Sequence, residues 1–221
     1  MLLTGTEIRK AMEEGRIIVD PLTPEHVGPN SVDLTLADVL ILYELALDDG
    51  IIRQQATPDG KQLVLPIFLD TANAQHPSLS LKIPESGLLL RPGKFYLAAC
   101  RERVQADEYV AEIQSRSSVT RLGLIVHGGV GEMGATGTWT FGLQPLVPVY
   151  VRPGLRICKM VFHKAEAGGT LYRGKYLNET GVGASKIGLD VKKRPPLEVV
   201  SPAPESGSSE PAKRKEAEKN S

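Results

Sequence analysis

Two arginines and two serines crowd together at Arg116, Ser117, Ser118 and Arg121, within the stretch Ser115–His127. Serine hydroxyls, the free N–H groups of a tight turn and two guanidiniums form a donor set suited to an anion, a phosphate above all. A plainer reading fits the same residues: Ser117 or Ser118 caps a short helix while the arginines lie in solvent. His127 could shuttle protons near neutral pH, or serve as hydrogen-bonded structure at an element's edge. Trp139, the sole tryptophan, could stack on a base, but strand-core packing is its more ordinary use. The rest of the chain must choose between these readings.

The elements that position these residues are mostly strands. Tyr109–Gln114 alternates as a strand before the serine pair, and Leu122–Val126 is an apolar run after it. Thr4 and Glu7 have capping-box spacing, Ile8 and Met12 give an apolar face, and Gly15 supplies a stop. A helix is therefore expected over about 5–14. Strands are expected at 16–20, 31–36, 39–45, 62–69, 79–83, 87–90, 94–99 and 156–163, with the proline-bearing 21–30 as loop. Many short strands with few helices indicate a β-barrel or jelly roll. The turn Arg91-Pro-Gly93 recurs as Arg152-Pro-Gly154, which suits hairpins at equivalent ends of a rolled sheet.

Composition narrows the function classes. The chain has 221 residues, 41% of them hydrophobic, enough for a real core. Lysine plus arginine matches aspartate plus glutamate at 26 each, which argues against a nucleic acid polymer as partner and makes positive clusters local. Two cysteines with no Cys/His clustering exclude a disulfide scaffold and a structural zinc site. No stretch reaches the length of a membrane span and no signal layout opens the chain, so no membrane partner and a cytoplasmic location are expected. Residues 1–190 read as one domain. Residues 191–221 read as a polar tail, because from Ser201 onward no side chain could bury enough apolar area to offset its ordering entropy.

Taken in order, several stretches resemble the dCTP deaminase branch of the dUTPase-like superfamily. Pro29-Asn-Ser-Val-Asp-Leu-Thr-Leu36 resembles its first core strand, and Leu89–Ala98 a mid-chain hairpin. Ser115-Arg-Ser-Ser-Val-Thr-Arg-Leu-Gly-Leu124 resembles the signature GRSSLARLGL, with Ser115 for its first glycine. Tyr172-Arg-Gly-Lys-Tyr176, with Gly181 and Ser185-Lys186, resembles its nucleotide-closing segment. The resemblance implies a mainly β fold, a distorted β-barrel or jelly roll of the dUTPase-like type with a short N-terminal helix. It also implies a homotrimer with shared sites. The implied ligand is a deoxynucleoside triphosphate with Mg²⁺ on its phosphates and no protein metal site. By position, Arg116 and Ser118 hold phosphates, Ser117 orients the base, Arg121 sits beside the reacting carbon, and Lys175 with Tyr172 reaches the triphosphate.

The implied reaction is dCTP plus water to dUTP plus ammonia, which needs a proton-transferring carboxylate. The family's glutamate follows an Ile-Asp-Pro-Gly-Trp-x-Gly turn. Aligned without gaps from His127, that glutamate falls on Gln144. Aligned on Gly134 and Gly137, it falls on Gly142, and Glu132 takes the place of the turn aspartate. Glutamine hydrogen-bonds water but cannot act as a base near neutral pH. Glu132 makes a dUTP or dNTP diphosphatase the second reading, and a solvated turn residue is its bland rival. A catalytically inactive nucleotide-binding or regulatory homotrimer is the third. Glu179 stands where the closing segment offers glutamine to phosphate, and Lys159 replaces another glutamine, free to pair with Glu179 or with phosphate.

Overall fold

Thr4 and Glu7 close the predicted capping box: the Glu7 carboxylate accepts from the Thr4 N–H at 2.8 Å and Thr4 Oγ1 accepts from the Glu7 N–H at 3.4 Å. The helix so started, α1 (Gly5–Glu13), buries Ile8 and Ala11 and gives way to Gly15 in the left-handed region, φ 71°. These hydrogen bonds to Thr4 hold the Glu7 carboxyl below its ordinary value of 4.5. The cap is therefore complete above that value and weakens as the pH falls through the lowered one.

The computed structural model describes residues 1–43, 69–73, 75–166 and 169–191, with backbone only at 47–48, 51–52, 54–56 and 62–64. The predicted tail beyond Val191 lies outside the described residues, as do residues 65–68 of the strand expected at 62–69 and the end of the one at 39–45.

After α1 come β1 (Ile17–Asp20), β2 (Val32–Tyr43), β3 (Leu47–Asp48), β4 (Ile51–Ile52), β5 (Gln54–Ala56), β6 (Gln62–Val64), β7 (Ser78–Lys82) and β8 (Leu88–Leu90). The second half holds β9 (Tyr96–Ala106), β10 (Tyr109–Ser115), α2 (Ser117–Thr120), β11 (Leu124–His127), β12 (Val130–Gly131), β13 (Thr136–Pro145), β14 (Val149–Val151) and β15 (Arg156–Lys164). The main sheet runs β11-β13-β9-β2-β15-β10-β12, with β1 on β9 and β7 on β2, and all its pairings are antiparallel. Its two ends meet. Only Gly128-Gly129 joins β11 to β12, and the Ile113 N–H of β10 donates to the Gly129 carbonyl at 3.0 Å. The sheet thus curls around one apolar core built from the inner faces of β2, β9, β10, β13 and β15. This is the mainly β, rolled-sheet architecture expected.

The repeated Arg-Pro-Gly turns do occupy equivalent places. Strands β8 and β14 pair antiparallel, Leu88 with Val151 and Leu90 with Val149, and each leads through its turn into a long strand of the sheet. Two expected strand boundaries differ. The runs at 31–36 and 39–45 belong to one strand, β2, which pairs with β15 through its first half and with β7 and β9 through its second, with a register shift between Leu36 and Leu40. Strand β9 continues to Ala106 through the charged Arg101-Glu-Arg103. Glu102, 4% exposed, is tolerated there because its carboxylate accepts from the Thr35 N–H at 2.9 Å and the Thr35 hydroxyl at 2.6 Å.

Cys100 and Cys158 are free and buried. The Cys100 thiol accepts from the Trp139 N–H at 3.2 Å and donates to the Glu102 carbonyl at 3.1 Å. Burial pushes Cys100 up to about 12 and Cys158 well above its usual range, so neither carries thiolate at pH 8. Iodoacetamide at pH 8 is expected to leave both unlabelled in the folded protein and to alkylate both in urea, read by intact mass.

Candidate functional site

The arginine–serine cluster sits at the end of β10 and on α2, and it is not a serine cap. Arg116 occupies the N-cap position without a side-chain cap bond, and Ser117 and Ser118 are the exposed first residues of a single turn. The capping alternative is thereby removed. Arg116 donates from Nη2 to Asp33 Oδ2 at 3.0 Å and from Nη1 to the Arg156 carbonyl at 3.0 Å. Arg156 Nη1 approaches the same Asp33 oxygen at 3.4 Å. Two guanidiniums on one carboxylate leave a net positive charge, and Arg116 keeps donors to spare from its five. Arg121 is exposed at the end of α2. Asp33 and Arg156 were not singled out from sequence, although Asp33 lies in a stretch quoted there. The pairing of β2 with β15 brings them together.

A second group lies on the outer face of β13. Gln144 Oε1 and His127 Nε2 are 2.9 Å apart, and His127 also faces the Phe95 ring, with centroids 5.7 Å apart. His127 is thus hydrogen-bonded structure. Gly142 is the register partner of His127, and a Cβ built there would lie 2.3 Å from Phe95 Cζ. Gly142 and Gln144 share a face of the strand, as their spacing requires. Neither Gly142 nor Gln144 is a carboxylate, and the phenyl ring of Phe95 lies where a side chain at 142 would stand.

Two residues before Gly142, on the same face, Thr140 lines a cavity of about 400 Å³. Glu132, Thr138, Trp139, Tyr172 and Glu179 are among its walls. The segment from Tyr172 to Ser185 forms one side and is held to the sheet by backbone bonds. The Thr138 N–H donates to the Glu179 carbonyl at 2.9 Å, the Asn178 N–H to the Thr136 carbonyl at 2.7 Å, and the Tyr172 N–H to the Met133 carbonyl at 2.7 Å. The Gly183 N–H donates to Thr140 Oγ1 at 2.9 Å and the Ser185 N–H to the Tyr43 hydroxyl at 2.8 Å. Glu179 pairs with Lys186 at 2.9 Å and not with Lys159, which lies in register between Gln114 and Asp33. Lys175 binds Asp190 and lies 5.7 Å over the Tyr176 ring.

Of the residues picked from sequence, the cavity collects Glu132, Tyr172 and Glu179, with Lys175 beside it on Tyr176. It does not include Arg116, Ser117, Ser118, Arg121 or Gln144. Trp139 does two things, packing against the core and lining the cavity, where core packing was the more ordinary expectation. Among the described residues no cluster of His, Cys, Asp and Glu could hold a metal ion, and no helix is long and apolar enough to cross a membrane.

The family model for "dCTP deaminase-like" proteins matches residues 2–165. A "dCTP deaminase, dUMP-forming" of Clostridium botulinum (strain Alaska E43 / Type E3) is 34% identical over 198 residues, 87% of this chain and 100% of its own. One from Leptospira biflexa serovar Patoc (strain Patoc 1 / Ames) is 33% identical over 197 residues, 88% of this chain and 100% of its own. Among solved structures, the 2'-deoxycytidine 5'-triphosphate deaminase of Agrobacterium tumefaciens superposes with a TM-score of 0.52 at 18% identity, over 74% of this chain and 48% of that one. That last likeness is one of fold.

Proposed function

The chain belongs to the dCTP deaminase-like family, and from that membership we propose that it binds a deoxynucleoside triphosphate in the cavity beside β13 and releases diphosphate from it. The observation that carries this reading is the distribution of carboxylates. Glu132 stands on the cavity wall, whereas position 142, where deamination would need an acid, is a glycine under Phe95. Forming dUMP from dCTP takes two hydrolyses, one at C4 of the base and one between the α- and β-phosphates. This chain keeps a candidate base for the second and lacks the one for the first.

Glu132 takes a proton from a water whose oxygen attacks the α-phosphorus. The bond from that phosphorus to the bridging oxygen breaks, and diphosphate leaves. Glu132 and Glu179 alone would repel a triphosphate. The Lys186 partner of Glu179 offsets one charge, and a divalent cation on the phosphates would reduce the remaining repulsion. Glu132 and Glu179 on the cavity wall are oxygen donors that could face a cation carried by the phosphates.

Arg116, Ser117, Ser118 and Arg121 do not line the cavity of their own chain, so they serve the site of a neighbouring copy, as a homotrimer with shared sites requires. A role in deoxynucleotide metabolism fits a cytoplasmic protein. The test is incubation with dUTP and with dCTP plus Mg²⁺, following diphosphate and ammonia separately. Diphosphate from dUTP without ammonia from dCTP is expected. Ammonia release at a rate matching diphosphate would sink the assignment, and tight binding without either product would reduce the protein to a nucleotide binder.

A further inference from the structure

The geometry assigns Trp139 as the surface on which the base of the bound nucleotide stacks, and Gly131 with a break in the β9–β13 ladder as the features that aim it there. This rests on the cavity being a nucleotide site. Three successive residues, Thr138, Trp139 and Thr140, line the cavity. In a regular strand successive side chains point to opposite faces, so the indole of Trp139 would turn away from its two threonine neighbours.

The register explains it. Thr138 pairs with Arg103 and Thr140 with Ala99, so Trp139 alone faces Cys100, Arg101 and Glu102 of β9. Such irregularities re-aim side chains. The Trp139 N–H, out of the ladder, is satisfied by the buried Cys100 thiol at 3.2 Å.

The indole is then seated by Gly131. A Cβ at that position would lie 1.8 Å from Trp139 Cη2 and 2.5 Å from Cζ3, so the benzo edge rests against bare backbone. The half-buried ring packs on the core and keeps surface toward the cavity. Of the cavity's aromatics, the three tyrosines are tied by their hydroxyls to the closing segment. The Tyr43 hydroxyl accepts from the Ser185 N–H, that of Tyr172 from the Tyr176 N–H at 3.2 Å, and that of Tyr176 from the Lys186 N–H at 2.9 Å. Trp139 projects from the sheet and is held by the core, which makes it the rigid platform. A neutral indole face suits the planar, weakly charged end of a nucleotide and offers nothing to its phosphates.

Because Trp139 is the sole tryptophan, its fluorescence reports on this contact directly. The protein would be titrated with the α,β-imido analogue of dUTP and, separately, with inorganic tripolyphosphate, by fluorescence and calorimetry. The nucleotide analogue is expected to quench the emission and tripolyphosphate to leave it unchanged. Trp139→Leu should weaken the analogue about ten- to a hundredfold, with tripolyphosphate affinity unaltered, while Trp139→Phe keeps most of the affinity. Gly131→Ala, which retains the tryptophan but displaces it, should weaken the analogue and diminish the quench. Circular dichroism and thermal melting check that each variant folds. Unchanged affinity for the analogue in either Trp139→Leu or Gly131→Ala would overturn the assignment, as would binding to the parent protein without quenching. No heat with the analogue in the parent protein would overturn the nucleotide reading itself, and this one with it.

Discussion

Glu132→Gln is expected to lower diphosphate release from dUTP by about 10²–10⁴-fold, the usual loss when a positioned base is removed. Glutamine keeps the size and hydrogen-bonding reach of the side chain but cannot take a proton near neutral pH. Glu132 is exposed in a turn closed by its own carbonyl, which accepts from the Ala135 N–H at 3.0 Å. Its side chain therefore supports little of the fold, and the change in stability should stay within about 0.5 kcal/mol. Binding of the imido analogue should persist or tighten slightly, since a negative charge facing phosphate has been removed. Single-turnover diphosphate release, compared at matched occupancy, is the measurement. A rate within a few-fold of the parent's would show that Glu132 is the solvated turn residue of the rival reading.

The second large effect concerns deamination and needs two substitutions. Gly142→Glu alone is expected to yield only trace ammonia from dCTP and to destabilise the protein by about 1–3 kcal/mol, because the new Cβ meets Phe95 Cζ at 2.3 Å and the His127 Cβ at 3.2 Å. Phe95 is 44% exposed, so truncating it costs less than truncating a core ring would. With Phe95→Ala beside Gly142→Glu, the carboxylate gains room on the same face as Thr140, roughly 6.5 Å along the strand from it. Ammonia release from dCTP is then expected to exceed that of the single variant by about 10²–10⁴-fold. Gln144→Glu provides the comparison. It lies two residues farther from Thr140, against His127, and should release no ammonia. Ammonia from Gln144→Glu and none from the double variant would reverse the alignment of this strand and move the missing base to position 144.

Several features were legible in the residues because the physics behind them is local. The capping box of Thr4 and Glu7 fixed the start of α1, and glycine in the left-handed region fixed its end. Alternation along Tyr109–Gln114 and the matched Arg-Pro-Gly turns gave strands and corners where they stand. The ordered matches from Pro29 to Lys186 led to the fold and the family, since each short string is weak and their sequence order is not. Composition alone ruled out a disulfide scaffold, and both cysteines are free and buried.

Other features depended on partners far away along the chain. The strand expected at 94–99 stops short of Arg101-Glu-Arg103, yet that triplet is the middle of β9, because Thr35, 67 residues away, satisfies Glu102 inside the core. Arg116 reads as a solvated or phosphate-binding cation, and the pairing of β2 with β15 supplies the Asp33 and Arg156 that orient it. The choice between Gly142 and Gln144 could not be made from two alignments of one glycine-rich stretch. The structure gives the two positions different surroundings, Phe95 over Gly142 and His127 bonded to Gln144, which no alignment showed. Trp139 is the sharpest case. Its residue type and strand setting argue for burial, and only a register shift opposite Cys100 with an unsubstituted Gly131 beneath it turns the ring toward the cavity. The residues by themselves determined the elements, the family and the donor groups on hand, because propensity, periodicity and turn chemistry act over a few positions. Which of those groups face one another was decided by strand register and side-chain contact across the sheet, where a one-residue shift sends a side chain to the opposite face.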